Sequence, residues 1–221
     1  MSTFRLGLVP GVNPDRWLRV WGERVTDVPL LVVPVAAAQA EAALRAGELE
    51  AALLRLPVDR DGLDAIPLYT EASVVVVRKD HLFTAADEVA LEDFADETLV
   101  VPGDDVLGWA DPPGERFAGP VPTTSDAVDL VAAGHAVLVL PHSLARLHLR
   151  KGLTTQPVPD APGSTVALAW PTDAYDELTE ELIGIVRGRT ANSSRGSRAQ
   201  QPARAPERRP QPQPARKRRR R

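Results

Sequence analysis

The feature that most constrains this chain is an unbroken β-branched run, Ser73-Val74-Val75-Val76-Val77, inside the stretch Pro67–Lys79. A half-exposed strand alternates apolar and polar residues. A continuous apolar run belongs to a strand covered on both faces. A second such strand, Ser164–Trp170, stands near the end of the region rich in large apolar residues. The two runs are expected to be the crossings between two α/β lobes, with a ligand cleft between the lobes.

Strand and helix signals alternate around these runs. Phe4–Val9, Leu30–Val35 and Glu50–Leu56 read as strands. Between them, Asn13 and Pro14 predict an N-cap and first helical turn. Trp17, Trp21 and Val25 recur on one face of that helix. Ala36–Ala46 predicts an alanine-rich helix ended by a left-handed Gly47. After the first crossing come a short helix at Leu91–Ala95 and a strand at Thr98–Val101. A long Gly/Pro/Asp-rich loop runs from Gly103 to Pro122. A helix capped by Ser125, a buried strand Ala136–Leu140, a helix Pro141–Lys151 and an edge strand Gly152–Pro159 follow. Tyr175–Arg187 predicts a last helix with Leu178, Leu182, Ile185 and Val186 inward. Trp17 and Trp21 suit either the core or an interface, and Trp109 either a lid or a local plug.

The pattern implies mostly parallel sheets, whose ligands bind where helix N-termini point. Four turns have that geometry: Pro10–Pro14, Val35–Ala38, Val101–Asp105 and Thr123–Asp126. Amides converging from both lobes favour an anion, typically a carboxylate. The expected ligand-binding residues are Val12, Asn13, Ala36, Ala37, Arg55, Pro102, Gly103, Thr124 and Ser125. Thr124 and Ser125 are also read as helix caps. Arg55 suits either a carboxylate ligand or a surface or interlobe ion pair.

Three short patterns, in order, resemble the effector-binding domain of LysR-type transcriptional regulators. Leu44–Leu53 is similar to that family's L-x-x-G-x-L-D-x-A-L segment, with Glu50 where Asp is usual. Pro67-Leu68-Tyr69-Thr70-Glu71 followed by Asp80-His81-Leu82-Phe83 resembles its P-L-x-x-E…D-H-P-L segment, with Leu82 for the common Pro. Val131–Pro141 resembles its V-A-A-G-x-G-V-x-L-L-P segment. The resemblance covers roughly 4–187 and implies an α/β, two-lobed, type 2 periplasmic-binding-protein-like fold with two crossover strands. Lobe I is expected at about 1–72 and 164–189 and lobe II at about 73–163. It implies small-molecule sensing, a homodimer among the partners, and an effector in the cleft. The family's winged helix-turn-helix is expected to be missing, because Met1 stands three residues from the first strand. The Ser or Thr common at the second turn is replaced by Ala36-Ala37-Ala38.

Composition narrows the chemistry. With no cysteine, thiolate chemistry, disulfides and cysteine-bound zinc are excluded from this sequence. The four histidines have no metal-ligand spacing, and no nucleophile elbow, P-loop or dinucleotide fingerprint appears. The expectation is a protein that is not an enzyme, has no cofactor, and lies in the cytoplasm away from membranes. From Arg187 onward there are 13 Lys/Arg and one acid, leaving 13 basic against 29 acidic residues in the rest. Residues 190–221 lack large apolar side chains and are expected to be a disordered tail. Its densest part, Arg216, Lys217, Arg218, Arg219, Arg220 and Arg221, could meet nucleic-acid phosphates without sequence preference. An accessory protein acting on nucleic acid through this tail is the alternative function.

Overall fold

The first sheet grows from β1 (Phe4–Leu8) at its parallel side. In the computed structural model, which describes residues 3–189, β1 is flanked by β2 (Leu30–Pro34) and β3 (Ala51–Arg55), both parallel to it. Two antiparallel strands complete this sheet, β4 (Leu63–Glu71) and β10 (Ser164–Pro171), in the order β2-β1-β3-β10-β4. The predicted disordered tail and its basic run lie outside the described residues.

The second sheet is built on β5 (Ser73–Arg78), which runs between β8 (Leu138–Pro141) and β9 (Leu153–Pro157). The valine run owes its continuity to this position. Val74 and Val76 enter a cluster with Val128, Val131 and Leu144, while Val75 and Val77 enter another with Phe83, Phe94 and Val139. Successive side chains point to opposite faces, and both faces are covered. The pairing here is antiparallel, not parallel as expected. β5 starts at the junction of the sheets and runs away from it. β8 runs back toward it, so Ser73 pairs with Pro141.

The chain passes between the sheets at Ala72 and again over residues 158–163. Pro67–Lys79 therefore holds the end of β4 as well as β5. Ser164–Trp170 lies in the first sheet, with Val166 to Ala169 fully buried between β3 and β4. β6 (Thr98–Leu99) and β7 (Glu115–Arg116) form a small parallel pair beside the second sheet, linked to it through Leu99 and Val137. β7 falls inside the stretch expected to be all loop.

The helices refine the predicted starts. α1 (Asp15–Arg24) begins after Pro14, and Asn13 Oδ1 accepts the Asp15 amide at 2.9 Å. Trp21 is buried, its indole donating to the Val28 carbonyl at 2.9 Å, while Trp17 is half-buried. The alanine segment opens as a 3-10 turn, Ala37–Gln39, before α2 (Ala40–Arg45). Ala36 has no side-chain acceptor for the free amides of that turn. Gly47 ends α2 with a φ of 67°, as predicted. α3 (Thr124–Ala132) is capped by Thr123, not Ser125. Thr123 Oγ1 accepts the Asp126 amide, and the Asp126 carboxylate accepts the Thr123 amide. α4 (His142–His148) follows β8 directly, and α5 (Glu177–Val186) packs against α1.

Candidate functional site

The carboxyl ends of β1 and β3 in one sheet, and of β8 in the other, meet across a gap. A cavity of about 550 Å3 lies there, within the usual range for small-ligand sites. The first sheet's side supplies Pro10, the Ala36-Ala37-Ala38 turn and Arg55; the second supplies Gly103, Asp104, Thr124, Leu144 and Leu147. The lining is largely apolar, with Leu54, Leu56 and Leu107 adding to it.

Arg55 ends β3 and is only 8% exposed. A buried cation needs partners, and four surround it. Nη1 donates to Glu71 Oε2 and to Ser164 Oγ, each at 2.9 Å. Nη2 donates to the Pro10 carbonyl at 3.3 Å and to Ser143 Oγ at 3.1 Å. Ser143, from α4, donates its own proton to Glu71 Oε2 at 2.7 Å. Arg55 forms an ion pair, but a buried one within the first sheet, with Glu71; the contact between the halves is made by Ser143. Glu71, Ser143 and Ser164 were not among the predicted site residues. Glu71 was legible as the acid of the P-L-x-x-E segment, but the pattern did not reveal its partner.

The N-terminus of α3 faces the cavity through Thr124, which is 6% exposed. Its Oγ1 donates to Asp104 Oδ1 at 2.8 Å, so a resident carboxylate already stands at this helix end. Asp105 beside it accepts the amides of Leu107 and Gly108, at 3.2 and 2.8 Å. Glu41 is the third acid in the wall. Gly103 is closely covered: a Cβ there would lie 3.0 Å from the Pro122 carbonyl oxygen.

Ala36, Ala37, Arg55, Gly103 and Thr124 are thus brought together around one cavity. Val12 and Asn13 line a neighbouring groove with Ser143 and Arg146. Pro102 faces a separate small cavity with Trp109, which packs against the second sheet's cluster as a plug. Ser125 accepts a hydrogen bond from Arg150 at 3.0 Å and lines none of these spaces. Among the described residues, no group of His, Asp or Glu is placed to hold a metal ion. Nor is any helix there long and apolar enough to cross a membrane.

Residues 2–191 match the LysR substrate binding domain family. The chain belongs to that family. Among curated proteins, it is 29% identical over 198 residues to a probable hydrogen peroxide-inducible genes activator of Mycobacterium avium, covering 82% of this chain and 63% of that protein. A protein of the same description from Mycobacterium xenopi is 38% identical over 83 residues, covering 36% of this chain and 44% of that protein. The chain therefore spans less than two thirds of the length of these relatives. Among solved structures, the oxidized form of OxyR matches at a TM-score of 0.68 and 21% identity, covering 86% of this chain and 96% of that one. The BenM effector binding domain with its effector benzoate matches at 0.70 and 21%, covering 85% and 91%. These likenesses establish the two-lobed fold of the LysR substrate-binding domain.

Proposed function

We propose that this LysR-family domain senses a small-molecule effector held in the cavity between its lobes. The observation that carries this reading is the cavity itself, walled from both sheets and closed on one side by the Arg55–Ser143 contact. We take lobe I as about 1–72 and 164–189 and lobe II as about 73–163. Ala36, Ala37, Gly103 and Thr124 are the proposed contacts. Arg55 serves as a wall, because its four Nη donors are committed.

The sequence argued for an anionic effector. In this cavity the three lining acids and the prior use of Arg55 oppose a carboxylate, and Asp104 already occupies the end of α3. We infer a mostly apolar guest that brings hydrogen-bond donors for these carboxylates. The name of the mycobacterial relatives points instead to peroxide. Peroxide sensing by sulfur needs an oxidisable thiol, and this sequence has none, so effector binding is the better-supported input. Regulation then acts through lobe angle and subunit pairing in the cytoplasm. The basic run Arg216–Arg221 would add phosphate contacts that truncation after Arg187 abolishes and salt weakens.

The test is a thermal-shift screen of amines, alcohols and amides with the full chain and with Ala37→Trp, which fills the cavity. At a hundredfold excess over Kd, a true effector stabilises by about 2.7 kcal/mol, or roughly 5–10 °C. The shift should vanish in Ala37→Trp. Hits that shift both proteins equally would refute the assignment.

A further inference from the structure

The Arg55–Ser143 contact divides the space between the lobes. Beyond it, on the α1 side, lies an open groove of about 920 Å3. Its wall comes from Arg16 and Trp17 of α1, Tyr69 of β4, and His142 and Arg146 of α4. Its charge is opposite to that of the enclosed cavity. The groove's one lining acid, Glu71, is taken by Arg55 and Ser143. Among the described residues, neither Arg16 nor Arg146 is in an ion pair.

We propose that this groove is a second binding site, separate from the enclosed cavity, for a carboxylate carried on a flat apolar ring. Two uncommitted guanidinium forks suit a carboxylate, which they bind by paired, charge-assisted hydrogen bonds. The ring has the half-buried Trp17 and the exposed face of Tyr69 to lie against. Burial first, and then the charge of Glu71, raise the Tyr69 phenol above its ordinary value, with Arg55 opposing. Tyr69 therefore keeps its proton at neutral pH and can donate it to an acceptor. Elsewhere the described surface is dominated by acids, so a groove lined by two arginines concentrates anions here. The wall draws on both lobes and on α1, so occupancy at this site would bias the angle between the lobes without entering the cavity.

The experiment is calorimetric titration of the full chain with benzoate, and with benzamide as the uncharged molecule of the same shape. Benzoate should bind saturably and benzamide roughly tenfold more weakly or not at all. The double variant Arg16→Gln/Arg146→Gln should weaken benzoate by roughly tenfold or more. Both arginines are exposed, so this variant should fold normally, which its circular dichroism and Tm will check. Ala37→Trp should leave benzoate binding unchanged. Absence of saturable benzoate binding, equal binding of benzamide, or an unaffected double variant would each overturn the proposal. Loss of benzoate binding in Ala37→Trp would place the anion in the enclosed cavity and likewise overturn it.

Discussion

The Ser143 hydroxyl donates to Glu71 Oε2 over 2.7 Å, joining α4 of one lobe to the last residue of β4 in the other. The same hydroxyl accepts from Arg55 at 3.1 Å. One small side chain thus completes the coordination of a buried ion pair from the opposite side of the gap.

Replacing Ser143 with Ala removes one donor to Glu71 and one acceptor for Arg55. The Arg55–Glu71 pair remains at 2.9 Å. The expected loss is about 1–2 kcal/mol, read as a lowered midpoint in urea at unchanged slope.

Breaking the ion pair itself should cost more. The side chains of Arg55 and Glu71 are 4% and 12% exposed, so Glu71→Gln leaves a buried cation without its counter-charge. About 3–5 kcal/mol is expected. The double variant Arg55→Met/Glu71→Leu should be more stable than Glu71→Gln, because both charges leave the interior together. A double-mutant cycle by chemical denaturation measures this coupling.

Gly11 is fixed by two independent constraints. Its φ is 86°, and a Cβ there would lie 2.5 Å from Ser143 Oγ and 3.1 Å from Arg55 Nη2. Gly11→Ala should destabilise by about 1–3 kcal/mol. Adding Ser143→Ala should recover the crowding part but not the backbone part, so the double variant stays below Ser143→Ala alone in Tm.

Glu50 predicts an acid dependence. Burial raises its carboxyl pKa, but hydrogen bonds from the Arg5 side chain and backbone amide, with the Arg5 charge, outweigh this and hold it below its ordinary value. A lowered folded pKa means stability that is complete above the unfolded carboxylate value of about 4.3. It is lost as pH falls through the folded value. Glu50→Gln should flatten the stability curve in that acid range and leave its slope near neutrality unchanged. The pair is partly exposed, so the effect should be small and shrink with salt.

The main elements could be read from sequence because each is dictated locally. The valine run feeds two clusters, Gly47 turns left-handed after α2, and Trp21 sits on the apolar stripe of α1. The sense of the second sheet could not be read, because strand direction depends on which end of β5 meets the first lobe. The cap of α3 was displaced because Thr123, Thr124 and Ser125 are all capping types, and only Thr123 has Asp126 at the reciprocal spacing. The partners of Arg55 were hidden for a different reason. Ser143 and Ser164 are 88 and 109 residues away from it in the chain, and nothing local marks a serine that must complete a distant ion pair.

The two passages between the lobes lie side by side. Ser164 pairs with Glu71 in one sheet, Val74 pairs with Pro157 in the other, and Ser73 Oγ donates to the Pro162 carbonyl at 2.6 Å between them. Gly163 approaches so closely that a Cβ would lie 2.8 Å from Thr70 Cγ2. A single tether would let the halves swivel freely; two bonded together behave like the leaves of a door hinge. This pairing favours swinging about one axis over twisting, so the proposed effector would drive the halves along a single, reproducible direction.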